Sequence, residues 1–294
     1  MSAQAQAAPA PARRARGLPP ALTHPGVLFG LAVLAVVLAA ALAAPWLGTL
    51  DPIQLRPRLR LRPPSEAAWF GTDAFGRDVY SRVVYGARVS LLIGFCVAAV
   101  AVTLGLVIGL VAGYIRWLDA VVMRVMDGVM AIPSILLAIA LVTLSGAGIG
   151  TVIVAITIPE IPRVARLVRG VVLTVREEPY VEAAIGAGTR LPLLLIRHVL
   201  PNTIAPLIVQ GTYVCASAIL TEAILSFLGA GIPTEVPSWG NIMAEGRQAF
   251  QLAPWVILFP GLCVAATVLA VNILGDGLRD SLDPRLARRL GSLR

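Results

Sequence analysis

Nucleophiles, general bases and metal ligands are scarce in this chain of 294 residues. Cys96, Cys215 and Cys263 each lie inside an apolar run, and none forms a C-x-x-C pair. Redox or metal-binding thiols need close spacing or a polar setting, so these three read as small buried hydrophobes. There is no G-x-x-x-x-G-K-[ST] phosphate loop, so any ATP used must be bound by another chain. No cluster of His, Asp, Glu, Ser or Cys falls at one depth of the apolar runs, which argues against a membrane enzyme. The sequence therefore predicts no catalytic residue, no metal site and no cofactor of its own. Two acidic residues stand out: Glu160, between Pro159 and Pro162, and Glu222, ahead of Ser226-Phe227-Leu228-Gly229. An ionisable group in apolar surroundings is costly and by default functional. Glu160 either pairs with Arg163 or faces a polar path where it meets a substrate amine.

The segments holding these residues set the fold class. The composition is 57% hydrophobic and 14% charged, with a mean hydropathy of +0.83, whereas soluble domains carry about 25% charged residues. Six apolar runs, 27–47, 89–114, 129–144, 151–173, 203–228 and 255–274, approach or exceed the ~18–20 residues that a helix needs to cross a bilayer. The prediction is an all-α, polytopic membrane protein of about six transmembrane helices. Pro133, Pro159 and Pro162 interrupt the third and fourth runs, which proline can do where neighbours or water satisfy the freed backbone groups. Ala41-Leu42-Ala43 mimics a signal-peptidase site, but the run before it exceeds a signal h-region of about 7–15 residues. It reads as an uncleaved signal anchor.

The net charge of +8 comes from arginine, with no lysine in the chain. The arginines sit in short segments between apolar runs and make no continuous basic face, which excludes a nucleic-acid partner. Their distribution places both termini in the cytoplasm under the positive-inside rule, with Arg56, Arg58, Arg60 and Arg62 as a counterweight on the external side.

Between the fourth and fifth runs lies Glu182-Ala183-Ala184-Ile185-Gly186-Ala187-Gly188, followed by Arg197-His198-Val199-Leu200-Pro201-Asn202. This predicts a surface helix–turn–helix in which small residues admit a close partner and Gly188 lets the backbone leave the helix. Pro201 is expected to interrupt, and Asn202 to N-cap the fifth span. A short, small-faced helix of this kind is a docking element. His198 has a simpler reading, satisfying a backbone carbonyl at a helix end.

These residues resemble the EAA loop of ATP-binding-cassette importer permeases. In that family the loop is the coupling helix, which seats in a groove of the ATPase subunit. Glu182, Ala183, Ala184, Gly188, His198, Leu200, Pro201 and Asn202 match its pattern, while Thr189-Arg190 stands where a smaller pair is usual. Three further segments are similar to the C-type permease of the dipeptide/oligopeptide/nickel importers. They are Gly71 to Asp78 continuing to Ser90-Leu91, Pro237-Ser238-Trp239-Gly240, and Asn272 to Asp280 running into Leu282-Asp283-Pro284-Arg285. Taken alone, Gly71 to Asp78 is a turn system built on Asp and Gly, and Trp239 is either an interfacial belt aromatic or a shaper of the periplasmic gate.

The resemblance implies the type I importer permease fold: a cytoplasmic tail at 1–24, a first helix and external linker at 25–88, a permease core at 89–278 with the coupling loop at about 176–202, and a cytoplasmic tail at 279–294. It implies a second, homologous permease subunit, two ABC ATPase subunits that bind ATP and Mg, an extracytoplasmic substrate-binding protein, and surrounding lipid in the inner membrane. Glu222 matches a family position, and Glu160, Glu222 and Trp239 are the expected path residues. The expected cargo is a di- or oligopeptide, with nickel chelates, opines, glutathione or haem-like compounds as alternatives. A secondary transporter or channel is the rival of another class. It is disfavoured because no inverted repeat is evident and the EAA loop would be left unexplained.

Overall fold

The computed structural model describes residues 24–282, so the expected tails lie outside the described residues apart from His24 and 279–282. Regular structure among the described residues is helical: α1 (Pro25–Leu42), α2 (Val79–Tyr114), α3 (Arg116–Met130), α4 (Ser134–Ser145), α5 (Ile149–Val175), α6 (Pro179–Gly186), α7 (Leu191–Leu194), α8 (Leu200–Phe227), α9 (Trp239–Gly246) and α10 (Trp255–Leu282).

α1, α2, the unit 191–227 and α10 are each long and apolar enough to cross a membrane. The third expected span is not one helix. α3 and α4 meet at 86° across Pro133, whose ring pushes the residue before it out of helical geometry. α5 has 27 residues, about 40 Å at ~1.5 Å per residue, which is length enough to cross, but it carries Glu160, Arg163, Arg166 and Arg169. The six expected segments are thus four apolar helices, one bent pair and one helix of spanning length that is unusually charged.

α2 begins at Val79, inside the stretch expected to be linker, because Asp78 caps it by accepting from the Ser81 amide at 2.8 Å. Ten residues further on, Arg88 Nε donates to the Ala41 carbonyl at 2.5 Å and Nη2 to the Leu42 carbonyl at 3.1 Å. The guanidinium closes the C-terminus of α1 and sets that end level with the third turn of α2. The head of α2, the linker and α9 therefore form a lobe beyond the end of α1.

α2 and α5 make the most extensive helix pair among the described residues. Cβ atoms added at Gly105, Gly109 and Gly113 would lie 2.5, 2.6 and 2.8 Å from the Cβ atoms of Val164, Val168 and Val172. The four-residue spacing on both helices lets the backbones approach as in small-xxx-small membrane pairs. Gly109→Leu should overpack this seam and destabilise the subunit by about 1–3 kcal/mol. Thermal unfolding in detergent measures it, with Gly170→Leu as the control, since an added Cβ at Gly170 meets nothing within 4 Å. Equal effects at both glycines would refute the seam.

Candidate functional site

The small-faced segment folds as expected up to its turn. Pro179 opens α6 at a first-turn position where its missing N–H is no loss. The turn that follows α6 is made by Gly188, whose φ is +78°. Gly188 N–H donates to the Ile185 carbonyl at 2.9 Å and Thr189 N–H to that of Ala184 at 3.1 Å, the paired bonds of a Schellman motif. Glu182, Ala183, Ile185 and Gly186 are exposed, and an added Cβ at Gly186 or Gly188 would meet nothing within 4 Å. The subunit thus leaves this face uncovered.

The segment is nonetheless firmly seated. Val181, Leu194 and Val199 are 0%, 1% and 0% exposed and join the cluster holding Val168, Val172 and Val175 of α5.

Pro201 does not break the chain as expected. α7 passes through a π-helical turn, Leu195–Val199, directly into α8. Proline supplies no N–H at the second position of α8, and the wider turn accommodates it, with the Leu200 N–H reaching the Leu195 carbonyl. Asn202 is likewise not an N-cap. Its Nδ2 donates to the His198 carbonyl at 2.7 Å and to the Tyr180 hydroxyl at 3.2 Å, tying α8 back to α6. The His198 ring lies half-buried, 6.4 Å from that of Tyr180. The eight matched residues therefore gather at one end of the bundle, where α5, α6 and α8 meet.

The three acidic and aromatic residues expected along a path are placed differently. Glu222 is 0% exposed and accepts from the hydroxyls of Ser226 and Ser238 at 2.9 Å and of Ser90 at 3.2 Å. It joins α8 to α2 and to the start of α9. Trp239 is 1% exposed and its Nε1 donates to the Val83 carbonyl at 3.0 Å, so it is neither a belt aromatic nor open to a cavity in this subunit. Both side chains brace the lobe from within. Glu160 is the exception: it accepts Arg163 Nη1 at 2.9 Å and the Ser217 hydroxyl at 3.3 Å, and the Arg163 side chain beside it is 46% exposed.

Sequence reasoning missed a second polar centre. Asp73 Oδ2 accepts from Arg77 Nε and Arg82 Nη1, both at 2.7 Å, and both arginines also bond Glu245 of α9. Asp73 Oδ1 fixes the turn through the amides of Phe75 and Arg77, next to Gly71 and Gly76 at positive φ. The Asp- and Gly-built turn expected here is present, and its carboxylate also carries the lobe's ion-pair network.

The described residues thus combine a charged helix of spanning length, an ion-paired lobe and, at the other end of the bundle, an exposed small-residue helix. Residues 101–288 match the family described as binding-protein-dependent transport system inner membrane component, and the chain belongs to that family. The chain is 58% identical over 266 residues to the probable peptide ABC transporter permease protein y4tQ of Sinorhizobium fredii, covering 90% of this chain and 91% of the relative. It is 43% identical over 260 residues to the dipeptide transport system permease protein DppC of Alkalihalophilus pseudofirmus, with 88% and 86% covered. To the glutathione transport system permease protein GsiD of Pectobacterium atrosepticum it is 42% identical over 265 residues, with 90% and 88% covered. A solved inward-facing structure of the MetNI methionine ABC transporter shares the fold, with a TM-score of 0.56 at 20% identity over 68% of this chain and 96% of that one. The chain is accordingly a multi-pass inner-membrane permease subunit of an ABC importer. It is itself non-catalytic, and it works with an ATPase and a substrate-binding protein.

Proposed function

We propose that this subunit forms half of a path for di- or oligopeptides and that α6 seats in a groove of the ATPase, so that closure of the ATPase pair moves the bundle. The observation that carries the coupling reading is α6 itself, small-faced, exposed and ended by a Schellman turn at Gly188 while Val181 anchors it in the core. The peptide reading draws on relatives named for peptide, dipeptide and glutathione transport, and glutathione is itself a tripeptide. The full assembly is this chain, a second homologous permease, two ATPases that bind ATP and Mg, and the binding protein, embedded in lipid. Purified alone, the chain should hydrolyse no ATP, and activity should arise on assembly; turnover by the isolated chain above a vector control would refute this.

Both termini lie in the cytoplasm in this reading, together with α6, which the arginine distribution supports. A single cysteine at Ile185, 49% exposed, should react with an impermeant reagent only from the cytoplasmic side. One at the exposed Thr234 should react only from outside; Ser238, fully buried, is no probe. Labelling of position 185 in sealed cells would reverse the orientation and remove the docking role.

A further inference from the structure

α5 carries four charged side chains, Glu160, Arg163, Arg166 and Arg169, along a helix of spanning length. Charged residues in membrane helices turn to a bundle interior or a water-filled cavity, where they mark substrate pathways. An apolar surface lies elsewhere: a groove of about 1100 Å³ between α1, α2, α8 and α10 is lined by residues such as Leu38, Leu92, Phe95 and Ile208, with Arg88 at its edge.

Two of the three arginines have acidic partners on α3. Arg166 Nη2 bonds Asp127 at 2.7 Å, and Arg169 bonds Asp119 through Nε at 2.5 Å and Nη2 at 2.7 Å. Arg163 differs. Only its Nη1 is engaged among the described residues, on Glu160 Oε1 at 2.9 Å. Glu160, 6% exposed as a side chain, is held in turn by the Ser217 hydroxyl of α8. Arg163 stands fourteen residues into α5, roughly 21 Å along its axis, near the helix midpoint. Its remaining donors form a planar fork suited to a carboxylate.

We infer that Arg163, oriented by Glu160 and Ser217, is the group in the translocation path that receives a carboxylate of the passing substrate. Glu160 is a positioning residue. It fixes one edge of the guanidinium and neutralises its charge, so that the carboxylate is guided without being trapped, as conduction requires. The inference rests on the peptide reading for its substrate, since a linear peptide carries a C-terminal carboxylate. Its placement of Arg163 in the path does not.

The test uses the complete transporter in vesicles, with Cys96, Cys215 and Cys263 replaced by alanine. Arg163→Cys should react with a small anionic thiosulfonate, and reaction should slow in the presence of a dipeptide and the binding protein. No reaction would mean the α5 face is sealed against another chain, and would overturn the inference. Uptake is then compared for one dipeptide and its C-terminal amide, preloaded on the binding protein. Arg163→Gln should lower uptake of the free acid about tenfold or more, the effect of one charge-assisted hydrogen-bonded pair, and leave the amide within about twofold. Arg163→Lys should recover part of the difference. An unchanged ratio of acid to amide, including equal loss of both, overturns the carboxylate role. If the unsubstituted transporter takes up neither peptide, the peptide reading has failed instead, and the thiol result alone decides the placement.

Discussion

Gly188→Val and Glu182→Lys should each abolish substrate-stimulated ATPase activity and uptake while leaving membrane insertion intact. The two act differently. Gly188 holds φ at +78° with nothing within 4 Å of an added Cβ, so the penalty is in the backbone rather than in crowding. A left-handed conformation costs an L-residue roughly 1–2 kcal/mol, and a β-branched side chain adds to it. The Schellman turn would reopen and α6 would leave its seat. Gly188→Asn should retain much of the activity, because asparagine tolerates this region. Glu182 is exposed in the first turn of α6, so its reversal loses only about 0.3–1 kcal/mol of helix-dipole interaction. Loss of coupling there would support the proposed ATPase contact. Swinging an importer from 1:99 to 99:1 between its two states takes about 5.5 kcal/mol, which a displaced docking helix cannot transmit. Ile185→Leu, nearly volume-conserving, should cost little. Wild-type transport by fully assembled Gly188→Val and Glu182→Lys transporters would defeat the coupling assignment.

Arg82→Ala should be among the most destabilising single changes in the chain. The Arg82 and Asp73 side chains are each 1% exposed, and Glu245 is 13% exposed. Removing the cation leaves the buried Asp73 and the partly buried Glu245 sharing only Arg77, and breaking a buried pair in this way costs about 3–5 kcal/mol. The loss should appear as early thermal unfolding of the purified subunit, with protease cutting in the linker between α1 and α2 before other sites. Arg166→Ala is the comparison. That arginine and Asp127 are 51% and 61% exposed, and such pairs contribute about 0–1 kcal/mol. Similar destabilisation by both substitutions would show that the lobe is not held by its ionic network.

Much of the bundle was legible because apolar runs and helix breakers act locally. Gly188, the glycine at which the sequence lets the backbone leave the helix, does so at positive φ. Other features depend on partners distant in sequence. Nothing near Arg77 or Arg82 announces Glu245, which arrives only when α9 folds back on α2. Glu222 reads as a path residue because a carboxylate in an apolar run is costly; Ser226 one turn on meets part of that cost, and Ser90 and Ser238, which only the fold brings to it, meet the rest. The usual roles of Pro201 and Asn202 are breaker and cap, whereas here a π turn lets the helix run on and leaves the amide to reach Tyr180. The Gly105, Gly109 and Gly113 spacing is plain in the sequence, but a glycine repeat does not declare its partner helix, which the fold identifies through Val164, Val168 and Val172 across the seam.

That seam has a mechanical consequence for the whole subunit. Three backbone approaches at successive turns remove the slack by which two helices usually slide or bend past one another, so α2 and α5 behave as one rod. Its α5 end leads through Arg176 into α6, and its α2 end carries the lobe clamped by Arg77, Arg82 and Trp239. With 36 residues, α2 is about 54 Å long, and a tilt of about 5° at one end displaces the other by roughly 5 Å. Small angular changes at the α6 end are thereby geared up into ångström-scale travel at the lobe, with no hinge needed along the way.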